Sequence, residues 1–286
     1  MPSYCSPNHQ EIYDKTQTCY TKAQLILIAK QYNKYAKKKI KLNTSKKELL
    51  KDLHNRLQTH EAKWHQHHFM NNVNEEEKDS LIESFKPEKP KEWNVNERQW
   101  LNTYDILEVM EQYEDKYPSF KFLGVFPIDF EHKVNGKHCV SPVMCNFDLK
   151  SLLKRKITQC GAVLNLDYHY QSGSHWVCLY IGLMPHNPNF GCYYIDSGAS
   201  KAPSEVVTFF KKIKSQIVDH YSKEVSDKFK FRENKKQFQF KNTECGMFSM
   251  YFLIQFLKQR SFKTIINSKI NDDGAFKLRN EYYLTS

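Results

Sequence analysis

The sequence lacks the features that mark secreted, zinc-stabilised and membrane proteins. Its eight cysteines form no Cys-x-x-Cys pair, so neither zinc-finger spacing nor a small disulfide framework is visible. The N-terminus has no apolar signal core, and no hydrophobic run approaches the length of a transmembrane helix. We therefore expect an intracellular protein in a reducing compartment, not secreted and without a membrane partner.

A metal-binding pattern is also missing, although one segment is rich in histidine. Residues 64–68 read Trp-His-Gln-His-His, but no set of partners follows at ligand spacing. A solvated helix end explains these histidines more simply. The sequence therefore predicts no metal ion and no other cofactor.

What the chain does have is enough apolar material for a core and an excess of positive charge. Of its 286 residues, 40% are hydrophobic and 14% aromatic, which suffices for one large domain or a medium one with an appendage. The formal net charge of +11 suggests contact with an anionic surface such as nucleic acid. A genome biased towards Lys and Asn would give the same excess, so charge alone is weak evidence.

Residues 1–60 have the pattern of a small helical module. Two capping boxes, Thr21–Gln24 and Ser45–Glu48, each precede apolar residues at helical spacing. Between these helices, residues 37–44 are basic and alternate in polarity, which predicts an extended segment. The predicted unit is a helix, an extended loop and a second helix.

Most of the excess charge lies in this module, which holds twelve lysine and arginine residues against four acidic ones. The pattern resembles the SAP-like helix–extended-loop–helix modules that bind DNA. Clustered lysines can neutralise phosphates without reading the base sequence. The alternative is a solvated basic face on a helical docking module, and the sequence leaves the two interpretations open.

Residues 61–92 are predicted to be a linker and residues 93–286 a larger domain. The segment Ser84–Pro90 holds two prolines and cannot continue a helix, which places the boundary. Beyond it, three strand signals follow in succession as a meander, and a further strand is expected over Phe229–Phe240. Strands beside helices without strict alternation indicate an α+β fold.

One cysteine stands where a polar loop gives way to an apolar helix. Residues 247–257 are apolar almost all round, so this helix is expected in the centre of the domain, with Cys245 in its first turn. Unpaired backbone amides and the positive end of the helix dipole then face its sulfur and favour the thiolate. A small buried thiol is the plain alternative for an isolated cysteine.

Three other side chains fall at the ends of predicted elements. His175 begins one strand and Asp196 ends the next, so a hairpin would place both at one end of the sheet. Asp196 could then orient the imidazole, and His175 could take the proton of Cys245. Gln239 leads into the cysteine helix, and its amide could donate to an oxyanion together with the Cys245 backbone N–H.

These residues, in this order, resemble the superfamily of SUMO proteases and adenovirus proteases. The pattern is His175-Trp, Asp196-Ser, then Gln239 six residues before Cys245-Gly. Residues 100–102, Trp-Leu-Asn, are similar to the motif that opens the SUMO-protease domain. With Glu244 directly before the cysteine, the sequence resembles the polyprotein-processing proteases of large DNA viruses, of the African swine fever virus type.

The resemblance implies a papain-like cysteine protease domain in permuted order. It would have a central mixed sheet and a buried helix, preceded by the small all-α module. It implies Cys245 as nucleophile, His175 as base, Asp196 as the orienting carboxylate and Gln239 as oxyanion donor.

The resemblance also implies a substrate-binding role for Trp100, Leu101 and Trp176. In SUMO proteases, tryptophans at the positions of Trp100 and Trp176 line a tunnel over the Gly-Gly of the substrate. Two indole faces close together leave room for a backbone but not for a Cβ, so only glycines pass. The alternative for both tryptophans is core packing.

Two enzyme interpretations follow, both with a protein substrate that carries Gly-Gly at the cleavage site. The first is a viral maturation protease that cuts structural polyproteins in the virion and host cytoplasm, tethered to DNA by residues 1–60. The second is an isopeptidase that removes a SUMO-like or ubiquitin-like modifier. Thr103, where SUMO proteases carry Asp, favours the first. A non-enzymatic DNA-binding virion protein is the third interpretation.

Overall fold

The computed structural model describes residues 4–284, which divide by their contacts into two units. The N-terminal unit comprises residues 4–89 and 280–284. The sheet unit comprises residues 90–279.

Helices occur throughout the described chain, and strands are concentrated in the sheet unit. The α-helices are α1 (Gln10–Thr16), α2 (Lys22–Tyr35), α3 (Lys46–Leu57), α4 (Glu75–Ile82), α5 (Thr103–Lys116), α6 (Pro142–Cys145), α7 (Leu149–Lys154), α8 (Ser204–His220), α9 (Lys223–Ser226), α10 (Cys245–Leu257), α11 (Phe262–Ile266), α12 (Asp272–Lys277) and α13 (Arg279–Tyr282). Short 3₁₀ helices cover Glu61–Gln66, His68–Met70 and Lys91–Asn94. The strands are β1 (Phe120–Pro127), β2 (Lys133–Val134), β3 (His138–Cys139), β4 (Gln159–Asn165), β5 (Trp176–Gly182), β6 (Gly191–Ile195) and β7 (Lys230–Glu233).

Both predicted capping boxes form in the N-terminal unit. The Thr21 hydroxyl accepts a hydrogen bond from the Gln24 backbone amide at the start of α2, and Ser45 does the same for Glu48 at α3. The chain between these helices has no regular structure. The order helix, loop, helix that the capping boxes predicted is therefore present.

Residues 61–89 do not form a linker, contrary to the sequence prediction. Trp64, Met70 and Leu81 are fully buried in the same core as Leu25. The prediction was wrong because α4 buries only Leu81, and a helix with a single buried residue shows no apolar periodicity. The segment also carries seven acidic and four basic residues, which made it look solvated.

The last described residues also belong to the N-terminal unit. The Leu284 backbone amide donates to the Pro87 carbonyl at 2.8 Å, and Leu284 forms a β-bridge with Glu88. The domain predicted over residues 93–286 therefore ends early, at Arg279.

The sheet unit is built on a five-stranded mixed sheet with the order β1-β4-β5-β6-β7. β4, β5 and β6 are antiparallel neighbours, as the predicted meander requires, whereas β1 and β7 run parallel to the strands beside them. Every residue of β4, β5 and β6 is buried. Strands buried in this way need cover on both faces of the sheet.

Two helices supply that cover. On one face, Phe256 of α10 stacks on Tyr180 of β5 with ring centroids 4.1 Å apart. On the other, Phe209 of α8 lies in one core with Val177 and Leu179. The predicted α+β fold, with a mixed sheet and a buried helix, is confirmed.

The strand predicted over Phe229–Phe240 is shorter than expected, because β7 ends at Glu233. The Asn234 side chain accepts a hydrogen bond from the Asp196 amide at 2.9 Å and donates to the Asp196 carbonyl at 2.7 Å. These side-chain bonds replace the ladder of a continued strand. The chain then turns away from the sheet before it reaches Gln239.

Four of the eight cysteines form disulfides, which the sequence analysis did not anticipate. Cys5 pairs with Cys19 and Cys139 pairs with Cys145, at sequence separations of 14 and 6. Neither spacing is a Cys-x-x-Cys motif, so the expectation of reduced cysteines was wrong for these four. The remaining cysteines are unpaired and buried: Cys160, Cys178, Cys192 and Cys245.

Within residues 4–284, no helix is both long and apolar enough to cross a membrane. The most apolar helix, α10, has 13 residues. At 1.5 Å per residue it spans about 20 Å, short of the roughly 30 Å of a bilayer core. Its apolar surface is used instead in the core of the sheet unit.

Candidate active site

The sheet brings His175 and Asp196 together. β5 begins at Trp176 and β6 ends at Ile195, and the two strands are antiparallel neighbours. Residues just outside these strand ends therefore lie at the same end of the sheet. His175 Nε2 lies 2.6 Å from Asp196 Oδ1, so the contact that a hairpin would allow is present.

Asp196 is fully buried and receives further hydrogen bonds. The backbone amides of Gly198 and Ser200 donate to its two carboxylate oxygens at 2.8 and 2.9 Å. Burial alone would raise the pKa of this carboxyl, but the bonds from His175 and the two amides hold the pKa below its ordinary value. Asp196 is thus a fixed negative charge beside the imidazole.

His175 is polarised from two sides. Burial of its side chain, which is 25% exposed, would by itself lower the pKa of the imidazole. Hydrogen bonding to Asp196 and Cys245 outweighs burial and raises the pKa of His175 to about 10. The ring therefore stays protonated at neutral pH beside the thiol, which is the charge distribution of a thiolate–imidazolium pair.

Cys245 is the first residue of α10 and is 2% exposed. The first-turn amides of a helix have no acceptor within the helix, and the helix dipole adds positive potential there. The other unpaired cysteines, Cys160, Cys178 and Cys192, lie inside β4, β5 and β6 and not at a helix start, and burial raises the pKa of each of these thiols. Among residues 4–284, Cys245 is therefore the thiol best suited to nucleophilic attack.

Gln239 lies beside the residue that follows Asp196. Its backbone amide donates to the Ser197 carbonyl at 3.0 Å, and its Oε1 accepts from the Ser197 hydroxyl at 2.7 Å. Within residues 4–284, the side-chain nitrogen of Gln239 has no hydrogen-bond partner. The glutamine therefore offers two N–H donors for a ligand.

The three residues predicted to bind substrate line one cleft of about 490 Å³. Trp176 is buried and its Nε1 donates to the Leu101 carbonyl at 3.0 Å, whereas Trp100 is 41% exposed. A Cβ at Gly246 would meet Leu101 Cδ1 at 3.0 Å and Trp176 Cδ1 at 3.3 Å. Because residue 246 is glycine, Leu101 and Trp176 of the cleft wall can pack directly against the backbone that follows Cys245.

The loop between β4 and β5 forms much of the remaining cleft wall and leads into His175. Asn165 Oδ1 accepts from the Ser174 amide at 3.1 Å. The Asp167 carboxylate accepts from the Gly173 amide at 3.0 Å and the Ser174 hydroxyl at 2.6 Å. Neither Asn165 nor Asp167 was among the residues predicted for the site, although Asn and Asp before a Gly-containing turn are a typical signal of such loops.

A buried ion pair lies at the start of α10. Glu244 is fully buried, and its Oε2 accepts from Arg279 Nε at 2.9 Å. Arg279 Nη1 also donates to the carbonyls of Glu97 and Gln99, both at 3.0 Å. The arginine therefore ties the helix start to the segment that leads into the cleft wall. No local pattern could have identified Arg279, which lies 35 residues from its partner.

In the described chain, no group of three or more His, Cys, Asp or Glu residues is arranged to hold a metal ion. The site holds the groups needed for acyl transfer: a buried carboxylate, an imidazolium, a thiol at a helix start and a free amide donor.

The C-terminal part of the chain matches a known family of proteases. Residues 162–285 match the model described as the Ulp1 protease family, C-terminal catalytic domain. The matched range includes His175, Asp196, Gln239 and Cys245. The resemblance that the sequence motifs indicated is therefore confirmed.

Two viral proteins are similar over more of the chain. One is a candidate thiol protease of Acanthamoeba polyphaga mimivirus, 28% identical over 98% of this chain and 92% of that protein. The other is the SUMO-1 cysteine protease of African swine fever virus, 24% identical over 64% of this chain and 67% of that protein. Both are named as thiol or cysteine proteases.

Crystal structures of the African swine fever virus protease have a similar fold. One covers 100% of this chain and 97% of that chain, with a TM-score of 0.66 and 17% identity. The selenomethionine form gives a TM-score of 0.69 with 18% identity. At such low identity the likeness is one of fold alone.

Proposed function

We propose that this chain, which carries a Ulp1-like peptidase domain, is a cysteine endopeptidase that cleaves polypeptides after Gly-Gly. One observation carries the proposal: the hydrogen-bonded pair of His175 and Asp196, with Cys245 close enough to raise the pKa of the imidazole, lies next to a cleft lined by Trp100, Leu101 and Trp176. The names of the two viral relatives agree with this reaction class.

In the proposed reaction, the Cys245 thiolate attacks the carbonyl carbon of the second glycine. The Gln239 amide and the Cys245 backbone N–H donate to the oxyanion that forms. The His175 imidazolium protonates the departing amine, which leaves a thioester on Cys245. A water molecule gives its proton to His175 and hydrolyses the thioester, which restores the thiolate–imidazolium pair.

The preference for glycine rests on the walls of the cleft. Trp100 and Trp176 both line it, and the Trp176 ring is held by its hydrogen bond to the Leu101 carbonyl. Two indole rings that close over a substrate would accommodate an extended backbone and exclude residues with a Cβ. A Gly-Gly pair that threads between them would bring its second carbonyl to Cys245.

We propose structural polyproteins of a virus as the substrates, cut in the host cytoplasm or the assembling virion. Thr103 lines the cleft at the position where SUMO proteases carry Asp after Trp-Leu-Asn. Without that carboxylate, a flexible polyprotein segment suits the cleft better than a folded modifier. Removal of a SUMO-like or ubiquitin-like protein is the competing function.

The test offers the purified full chain two kinds of substrate in parallel. A Gly-Gly-X peptide library reports endopeptidase activity, and a SUMO-like conjugate reports deconjugation. We expect turnover of the peptides and little turnover of the conjugate. Preferential turnover of the conjugate would replace the polyprotein assignment with the second function.

The control for chemistry is Cys245→Ala, with Cys178→Ala as the matched thiol variant. Cys178 is also buried, but it lies within β5 and not at a helix start. Cys245→Ala should abolish cleavage, and Cys178→Ala should retain it. Cleavage by the Cys245→Ala protein would contradict the proposed nucleophile.

We also propose that the N-terminal unit binds the phosphate backbone of DNA and tethers the protease to it. Lys37, Lys38, Lys39 and Lys41 are exposed, whereas Ile40 between them is buried. The Asn33 side chain hydrogen-bonds both the Ile40 amide, at 2.7 Å, and the Ile40 carbonyl, at 2.8 Å. This anchor holds the segment in place while its lysines face solvent, an arrangement that suits contact with a polyanion.

A further inference from the structure

The proposed reaction requires Gln239 to present its nitrogen, not its oxygen, to the developing oxyanion. A glutamine amide has a donor end and an acceptor end of nearly the same shape. If the amide rotates by half a turn, a carbonyl oxygen faces the negative charge and opposes the reaction. The orientation of this one amide therefore decides whether it assists catalysis.

The structure contains one side chain that distinguishes the two ends. The Ser197 hydroxyl donates to Gln239 Oε1 at 2.7 Å, and Ser197 is 2% exposed. Within residues 4–284, the Ser197 hydroxyl has no other hydrogen-bond partner. If the amide were reversed, this hydroxyl would accept from the nitrogen, and its own proton would be left buried and unpaired. Burial of an unpaired donor is unfavourable, so the observed orientation of the amide is favoured.

We propose that Ser197 is a positioning residue that fixes the orientation of the Gln239 amide so that its N–H groups face the oxyanion. The inference rests on the proposed function, because it assigns a task within that reaction. Ser197 touches no reacting atom and acts only through the glutamine.

The backbone around Ser197 is held firmly enough for this task. Its carbonyl accepts from the Phe238 and Gln239 amides at 2.8 and 3.0 Å. On its other side, the Asn234 side chain bonds both backbone groups of Asp196. The dipeptide Asp196-Ser197 therefore supports two parts of the site at once: its first side chain holds His175 and its second holds Gln239.

The experiment compares Ser197→Ala with wild type on a Gly-Gly-X peptide. Removal of a whole oxyanion donor lowers kcat by about 10²- to 10³-fold. Because Ser197→Ala loosens the donor without removing it, we expect about a tenfold lower kcat and an unchanged KM. Ser197→Thr keeps the hydroxyl and should recover most of kcat. Ser226→Ala removes another buried serine hydroxyl, which bonds only the Lys223 carbonyl, and should leave kcat unchanged.

Two further measurements separate positioning from a general structural defect. In a Gln239→Ala background, Ser197→Ala should cause no additional loss of kcat, since there is no amide left to orient. Alkylation of Cys245 by iodoacetamide passes through no oxyanion, so its rate should be unchanged in Ser197→Ala. A slower alkylation would mean that Asp196 and His175 had moved, which would contradict the positioning role.

The outcomes distinguish this inference from the proposed function. Wild-type cleavage with an unaffected Ser197→Ala variant, or with additive losses in the double variant, overturns the inference alone. Absence of Gly-Gly cleavage by the wild-type protein overturns the proposed function and this inference with it.

Discussion

The two units of this protein use charged side chains in opposite ways. In the sheet unit, the side chains of Asp196, Glu244 and Arg279 are 1%, 0% and 4% exposed, and each has several hydrogen-bond partners. In the N-terminal unit, the basic segment of residues 37–41 exposes its lysines to solvent and buries only the isoleucine among them. These three charges of the sheet unit are thus enclosed, whereas those of the basic segment are displayed to solvent.

The difference follows from what each kind of charge can do. A buried charge interacts strongly with a few fixed partners, because little water screens it. An exposed charge interacts weakly with any one partner, but many of them together attract a polyanion. Single substitutions should therefore have large effects in the sheet unit, whereas several are needed for a measurable effect in the N-terminal unit.

The largest effect should come from Asp196→Asn. An amide cannot stabilise the imidazolium, so we expect kcat/KM on a Gly-Gly peptide to fall by about 10²-fold or more. Asp148→Asn is the matched control, since Asp148 is exposed and caps α7. Full activity of Asp196→Asn would remove the buried carboxylate from the mechanism.

The next effect concerns the stability of the sheet unit. Arg279→Met removes the nearer cation from the buried Glu244 and leaves only Arg98 Nη1, at 3.6 Å, so it should cost up to about 3–5 kcal/mol of unfolding free energy. Urea unfolding followed by tryptophan fluorescence measures this loss. Lys228→Met breaks an ion pair with Glu224 whose side chains are 67% and 87% exposed, and it should change stability little. Equal effects of the two substitutions would remove the contrast between enclosed and displayed charge.

The exposed lysines of the N-terminal unit must be replaced together for a measurable effect on DNA binding. Replacing Lys37, Lys38, Lys39 and Lys41 by Gln should weaken DNA binding and reduce the slope of log K against log salt by up to about 4. Peptide cleavage should not change. The matched control replaces four exposed lysines of the sheet unit by Gln: Lys150, Lys154, Lys156 and Lys201. If the control weakens DNA binding equally, net charge and not the N-terminal segment is responsible.

The last effect is a pH dependence of stability. Folding raises the pKa of His175 from about 6.5 to about 10, so the protonated ring stabilises the fold. This contribution is fully present below pH 6.5 and is lost as pH rises through about 10. The melting temperature should therefore fall more between pH 7 and pH 10.5 in wild type than in His175→Gln, which lacks the titrating group. Identical falls would contradict the raised pKa.

Local signals were sufficient for much of the fold and for the neighbourhood of the site. The capping boxes at Thr21 and Ser45 depend on residues three apart, and both form. The strand signals around His175 and Asp196 implied a hairpin, and the two side chains meet at its end. Prediction failed over residues 61–89, where burial comes from scattered side chains and not from a periodic pattern.

By itself, the amino-acid sequence determined the starts of α2 and α3, the antiparallel run of β4, β5 and β6 and the position of Cys245 in the first turn of an apolar helix. Those features depend on hydrogen bonds and apolar spacing within a few residues. Only the tertiary structure decided that Ser197 holds Gln239, 42 residues away, and that Arg279 neutralises Glu244. Such contacts depend on how the chain packs around its core, and no short stretch of sequence contains that information.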